Sequence, residues 1–109
     1  MKDNHIYNQE LEETMIATLV MNPELLLVLR LKEEHFYNWH NSLSIKILLQ
    51  MVKHVEAINL VTLGMRLFEA GGKPSKINTL FGDNVFYSNL FAPTYLKQLA
   101  ELCAIRKIH

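Results

Sequence analysis

The residues of this chain that could do chemistry are five histidines, one cysteine, four serines and two pairs of adjacent glutamates. A zinc site needs imidazoles at helical spacing or a thiolate close by. His5, His35, His40, His54 and His109 contain no i, i+4 pair, and Cys103 is remote from all but the last. Nucleophilic catalysis is no better served. Ser42, Ser44, Ser75 and Ser88 lie in no Gly-x-Ser-x-Gly turn, and Cys103 falls on the apolar side of a helical pattern, where a thiol behaves as a small hydrophobe. Glu12 with Glu13 and Glu33 with Glu34 are sequence neighbours; on a helix such neighbours diverge by about 100° and cannot converge on one glycosidic bond. Gly71-Gly72-Lys73 looks like the end of a phosphate loop, but Leu67 stands where the first glycine belongs and Pro74 replaces the magnesium-binding hydroxyl. The expectation is a chain with no catalytic residue, no cofactor site and no metal site.

The balance of charge points the same way. Eleven basic and eleven acidic side chains cancel, which argues against a module built to neutralise phosphates. Residues 1–34 hold seven acids against Lys2, Arg30 and Lys32, a net charge of −4, so the remainder carries +4. Glu10, Glu12 and Glu13 concentrate this acidity at the start of the first helix, where a basic partner would meet them; the plainer reading is a solvated face. A recognition helix for DNA would carry several basic and amide side chains. The helix after Asn59 offers only Arg66, and the last helix offers Lys97, Gln98, Arg106 and Lys107.

These residues are positioned by helices. Leu11, Met15, Ile16, Leu19 and Val20 recur at helical spacing between Asn8 and Met21, with the glutamates assigned to the opposite side. Asn22-Pro23-Glu24 predicts a restart, Asn22 capping a short helix with Leu25, Leu26 and Leu29. Asn38 predicts the cap of a central helix whose stripe is Trp39, Leu43, Ile47, Leu48, Met51, Val52 and Val55. Asn59 opens the next helix, with Leu60, Leu63, Leu67 and Phe68 facing inward and Gly71-Gly72 closing it. Pro74 opens a short helix through Ile77, Leu80 and Phe81, Gly82-Asp83-Asn84 is a turn, and Val85–Phe91 lacks clean periodicity. From Pro93, Tyr95, Leu96, Leu99, Leu102, Cys103 and Arg106 recur at three and four to the end of the chain.

With 109 residues, half of them apolar and a fifth charged, the composition is that of one globular domain. No alternating strand pattern accompanies the apolar density. The fold class expected is all-α, a compact multi-helix head, with Leu11, Ile16, Leu19, Leu43, Ile47, Leu63, Leu67, Phe68 and Leu99 in one core. The longest aliphatic run, Leu25 to Leu29, is too short to cross a bilayer, and Asp3, Asn4 and His5 stand where a signal peptide would be basic and apolar. With a lone cysteine, the expected location is the cytoplasm.

The order of these signals resembles the N-terminal domain of DnaB-type replicative DNA helicases, bacterial or phage. Glu10-Leu11-Glu12-Glu13-Thr14-Met15-Ile16-Ala17-Thr18-Leu19-Val20 is similar to that family's Glu-Ala-Glu-Gln-x-Val-Leu-Gly-x-Leu opening, with both acids kept. Leu31 to Tyr37 resembles its Leu-x-Pro-Glu-Asp-Phe-Tyr segment, and Ile58 to Leu63, followed by Leu67 and Gly71, its Val-Asp-x-Val-Thr-Leu helix. Tyr95 to Arg106 is similar to the run that begins its helical hairpin. Ala17 stands for a usual Gly, Asn59 for an Asp, and residues 73–94 diverge.

The resemblance implies that residues 1–109 are a single non-catalytic domain of a hexameric parent, one of the collar above the motor ring, with the last helix the start of a truncated hairpin. It implies ring assembly through self-association and binding of the C-terminal domain of primase or of a helicase loader in the primosome. ATP and magnesium would belong to a motor domain absent from this chain, and DNA to that domain as well. Glu10, Glu12 and Glu13 are the candidate protein-binding residues. Two alternatives stand beside this: an autonomous all-α adaptor or regulator, such as a phage protein binding a host factor, and a small DNA-binding regulator.

Overall fold

A computed structural model describes residues 6–76 and 89–108. All regular structure among them is helical: α1 (Gln9–Met21), α2 (Leu25–Val28), a 3-10 turn (Glu33–His35), α3 (Trp39–Lys53), α4 (Leu60–Glu69), a second 3-10 turn (Asn89–Phe91) and α5 (Ala92–Ile108). The chain is therefore an all-α domain. The expected helix from Pro74 through Phe81, the turn at Gly82 and most of the Val85–Phe91 stretch fall outside the described residues; Ser75 and Lys76 are helical.

Helix starts follow from side chains that satisfy free amides. Asn8 Oδ1 accepts from the Leu11 N–H at 3.0 Å, and Asn38 Oδ1 accepts from the N–H groups of His40 and Asn41. At α4 the arrangement is reciprocal: Thr62 N–H donates to Asn59 Oδ1 and Asn59 N–H donates to Thr62 Oγ1, each at 3.0 Å. Asn22 departs from expectation. Its backbone N–H and its side-chain amide both donate to the Thr18 carbonyl, so it closes α1 instead of capping α2.

The end of α4 is a two-bond cap. Gly72 N–H donates to the Leu67 carbonyl and Gly71 N–H to that of Phe68, the pairing of a Schellman motif. Gly71 has a φ of 90°, where a side chain would be strained. A Cβ on Gly72 would lie 3.0 Å from Leu67 Cδ2 and 3.2 Å from His40 Nε2.

Packing corrects the faces drawn from periodicity. α1 is buried without interruption from Met15 to Val20, as befits a helix enclosed on all sides, and it packs against both α3 and α5. α3 touches α1, α2, α4 and the first 3-10 turn; it turns Ile45, Ile47, Leu48 and Met51 inward. Leu43 is half-buried, Trp39 is exposed, and Val55 lies beyond the helix at 90% exposure. On α4 only Leu63 and Leu67 are buried. Phe68, expected in the core, is 73% exposed, because it follows Leu67 by one residue and is rotated about 100° from it. α5 buries Ala92, Leu99 and Cys103. No helix among the described residues is long and apolar enough to cross a membrane.

Candidate protein-interaction surfaces

The three glutamates at the start of α1 do not form one surface. Glu10 is exposed and Glu13 is half-buried, with Gln9 Nε2 donating to Glu13 Oε2. Glu12, by contrast, has no exposed surface. Its Oε2 accepts from the Tyr37 N–H at 2.7 Å, and its Oε1 accepts from the Asn38 N–H at 3.2 Å and from Asn41 Nδ2 at 3.0 Å. A buried carboxyl group needs such partners, and their source is the N-terminal end of α3, where unpaired amides and the helix dipole both favour it. Glu12 is thus an internal brace between α1 and α3, and the assignment of all three acids to the outer side of α1 is corrected at this residue. Glu10 and Glu13 remain accessible to a basic partner.

A second node joins the ends of the described chain. The Arg106 guanidinium donates to the Ile6 carbonyl at 2.8 Å and to the Glu34 carbonyl at 3.1 Å, and it lies over the Tyr37 ring at 5.4 Å from its centre. Tyr37 in turn stacks on Tyr7 with ring centres 4.5 Å apart. Lys107 Nζ reaches Glu34 Oε2 at 3.2 Å, which holds the Glu34 carboxyl below its ordinary range. Two of the four polar residues that made α5 a candidate for DNA are therefore engaged within the domain.

The three described histidines, His35, His40 and His54, each have a backbone partner of their own. His35 Nδ1 accepts from the Lys32 N–H at 3.2 Å, and His54 Nδ1 lies 2.9 Å from the Gln50 carbonyl. His40 is buried, and its Nε2 accepts from the Lys73 N–H at 2.9 Å. Burial pushes both His35 and His40 below the usual imidazole range; at His40 the Lys76 charge adds to this. Among the described residues no three histidine, cysteine, aspartate or glutamate side chains group as metal ligands would.

The surface that periodicity missed is the outer side of α4. A cleft of about 600 Å³ is lined by Leu60, Val61, Gly64, Met65, Phe68 and Glu69 of α4, with Pro74 and Ser75 forming its far wall. Val61, Met65 and Phe68 are 69%, 60% and 73% exposed and recur at i, i+4 and i+7 along one side of the helix. The signal was present in the sequence, because α4 carries more apolar residues than Leu63 and Leu67 alone need for the core. Next to it, Arg66 bridges Glu56 and Glu69, so the one cation of α4 is engaged within the domain.

Compared with protein-family models, with curated proteins and with solved structures, the chain finds no match.

Proposed function

We propose that this chain is the non-catalytic N-terminal domain of a DnaB-type hexameric replicative DNA helicase, acting in ring assembly and in docking a primase or helicase loader in the cytoplasm. The observation that carries the reading is how the segments of the resemblance meet. Glu12, from the first segment, accepts from the Tyr37 N–H of the second, and Arg106, from the fourth, lies over the Tyr37 ring. Segments that bond to one another in this way specify a fold together, so their occurrence in the same order is worth more than any one of them. The exposed Glu10 and the half-buried Glu13 are the acidic groups that would meet a basic docking partner.

Two experiments test this. Reading the coding sequence beyond His109 into a Gly-x-x-x-x-Gly-Lys-Thr loop supports the assignment; a stop codon there, with no such loop encoded, removes it. Binding of the chain to the C-terminal domain of the primase from the same genome, measured by calorimetry, supports the docking role, and loss of that binding in the Glu10→Lys/Glu13→Lys variant with helicity unchanged assigns it to α1. The second reading is an autonomous all-α adaptor, favoured by the apolar cleft of α4; it requires a partner other than primase and no motor domain in the same reading frame.

A further inference from the structure

The residue with the least ordinary placement outside α1 is His40. It sits in the first turn of α3 and is 4% exposed, yet its bond reaches across the domain to the backbone that leaves α4. The two-bond cap at Gly71-Gly72 satisfies the last carbonyls of α4, and the next amide along the chain, Lys73 N–H, donates to His40 Nε2 at 2.9 Å. That bond requires the lone pair of Nε2, so the ring must be neutral and carry its proton on Nδ1. The space around Nε2 is tight. Leu67 and Leu43 side chains close on the same point, within 3.3 Å of where a Gly72 Cβ would stand, and the Trp39 ring meets the imidazole edge-on at 5.3 Å. Among the described residues, the charged groups that act on the ring, Lys73 and Lys76, are both cationic.

Immediately after Lys73 come Pro74 and Ser75, the far wall of the cleft over Val61, Met65 and Phe68. The start of this wall is thus tied to α3 through the His40 imidazole. We propose that His40 is a proton-sensitive latch: protonation of its Nε2 releases the Lys73 N–H, and with it the wall formed by Pro74 and Ser75 that bounds the apolar cleft of α4. A proton on Nε2 sets two N–H donors against each other, and the charges of Lys73 and Lys76 both disfavour the imidazolium. The bond breaks, and the backbone from Lys73 to Ser75 moves away from α3. Burial of the ring moves this event to more acidic pH than the 6.5 of a free imidazole. The inference stands on the geometry of the imidazole and does not depend on the proposed function.

The test is a pH titration of the isotopically labelled chain by NMR from pH 7.5 to pH 4.5. The expected result is that the Lys73 amide and the Met65 methyl signal shift with the same midpoint as the His40 ring. In His40→Gln, whose side-chain oxygen can still accept from Lys73 without titrating, both signals hold still over that interval. Lys73 and Met65 signals that do not move while His40 titrates, or that move equally in His40→Gln, overturn the latch. Should the variant fail to fold, the wild-type ring decides: nitrogen shifts at pH 7.5 must show a protonated Nδ1 and a bare Nε2, and the opposite tautomer overturns the proposal.

Discussion

Glu12 of α1 and Asn41 of α3, 29 positions apart in the chain, are joined by a 3.0 Å hydrogen bond from the Asn41 side-chain amide to Glu12 Oε1. Both residues are buried. The same carboxyl group also receives the amides of Tyr37 and Asn38, so one side chain of α1 orders the turn into α3 and the first turn of that helix. A polar contact of this kind stabilises only while every member is present.

Removal of this brace is therefore expected to be costly. Glu12→Ala leaves three donors without an acceptor, the buried Asn41 amide among them, and should lower stability by about 3 kcal/mol. Glu12→Gln turns one NH2 against an N–H donor and should cost about 1 to 3 kcal/mol. Glu10→Lys, on the exposed first turn, should cost only about 0.3 to 1 kcal/mol through the helix dipole. Urea denaturation of the three variants checks the order; equal effects for Glu10 and Glu12 would remove the brace.

Adjacent residues on α4 should behave in opposite ways. Leu67 is fully buried and Phe68 is 73% exposed. Leu67→Ala should cost about 2 to 5 kcal/mol, whereas Phe68→Ser should change stability by no more than about 0.5 kcal/mol. If the aromatic variant is the more damaging of the two in denaturant melts, the register of α4 is wrong.

Val55 holds a φ of 54° at 90% exposure. A β-branched side chain in the left-handed region is strained, by about 1 to 3 kcal/mol, and at this exposure it recovers little from burial. Val55→Gly and Val55→Asn should each raise the unfolding midpoint, and Val55→Ile should not. Thermal melts of the three variants would contradict this if the glycine variant were the least stable.

Acid should destabilise the domain in two stages. Folding lowers the affinity of His35 and His40 for protons through burial, so below pH 6.5 the unfolded chain takes up protons that the folded chain refuses. The stability contributed by these two residues is complete above about pH 6.5 and is lost as the pH falls from there toward their folded values. Glu34, held below its ordinary value of 4.5 by Lys107, contributes above that value and is lost as the pH falls through its folded one. The first stage should shrink in His40→Gln, and the second in 0.5 M salt, because the Glu34–Lys107 pair is exposed to solvent. A melting temperature flat from pH 8 to pH 5 would contradict the first stage.

Where helices begin and end was legible in the sequence, because the groups that decide it lie within a few residues of one another. Asn8, Asn38 and Asn59 each cap an amide two or three positions ahead, and the glycines at 71 and 72 close the helix directly before them. The faces were less legible. Periodicity finds an apolar stripe but not its rotation, and so it put Phe68 in the core and overlooked Ile45. Asn22 was ambiguous for the same reason, since an amide beside two helices can serve either and only the position of the Thr18 carbonyl decides. What only the tertiary structure decided was the fate of the polar residues. Glu12, Asn41 and His40 would be solvated on isolated helices; here each is buried because a partner from far along the chain meets it. A carboxyl group or an imidazole leaves water only when donors and acceptors are waiting, and no local spacing along a sequence records where those will be.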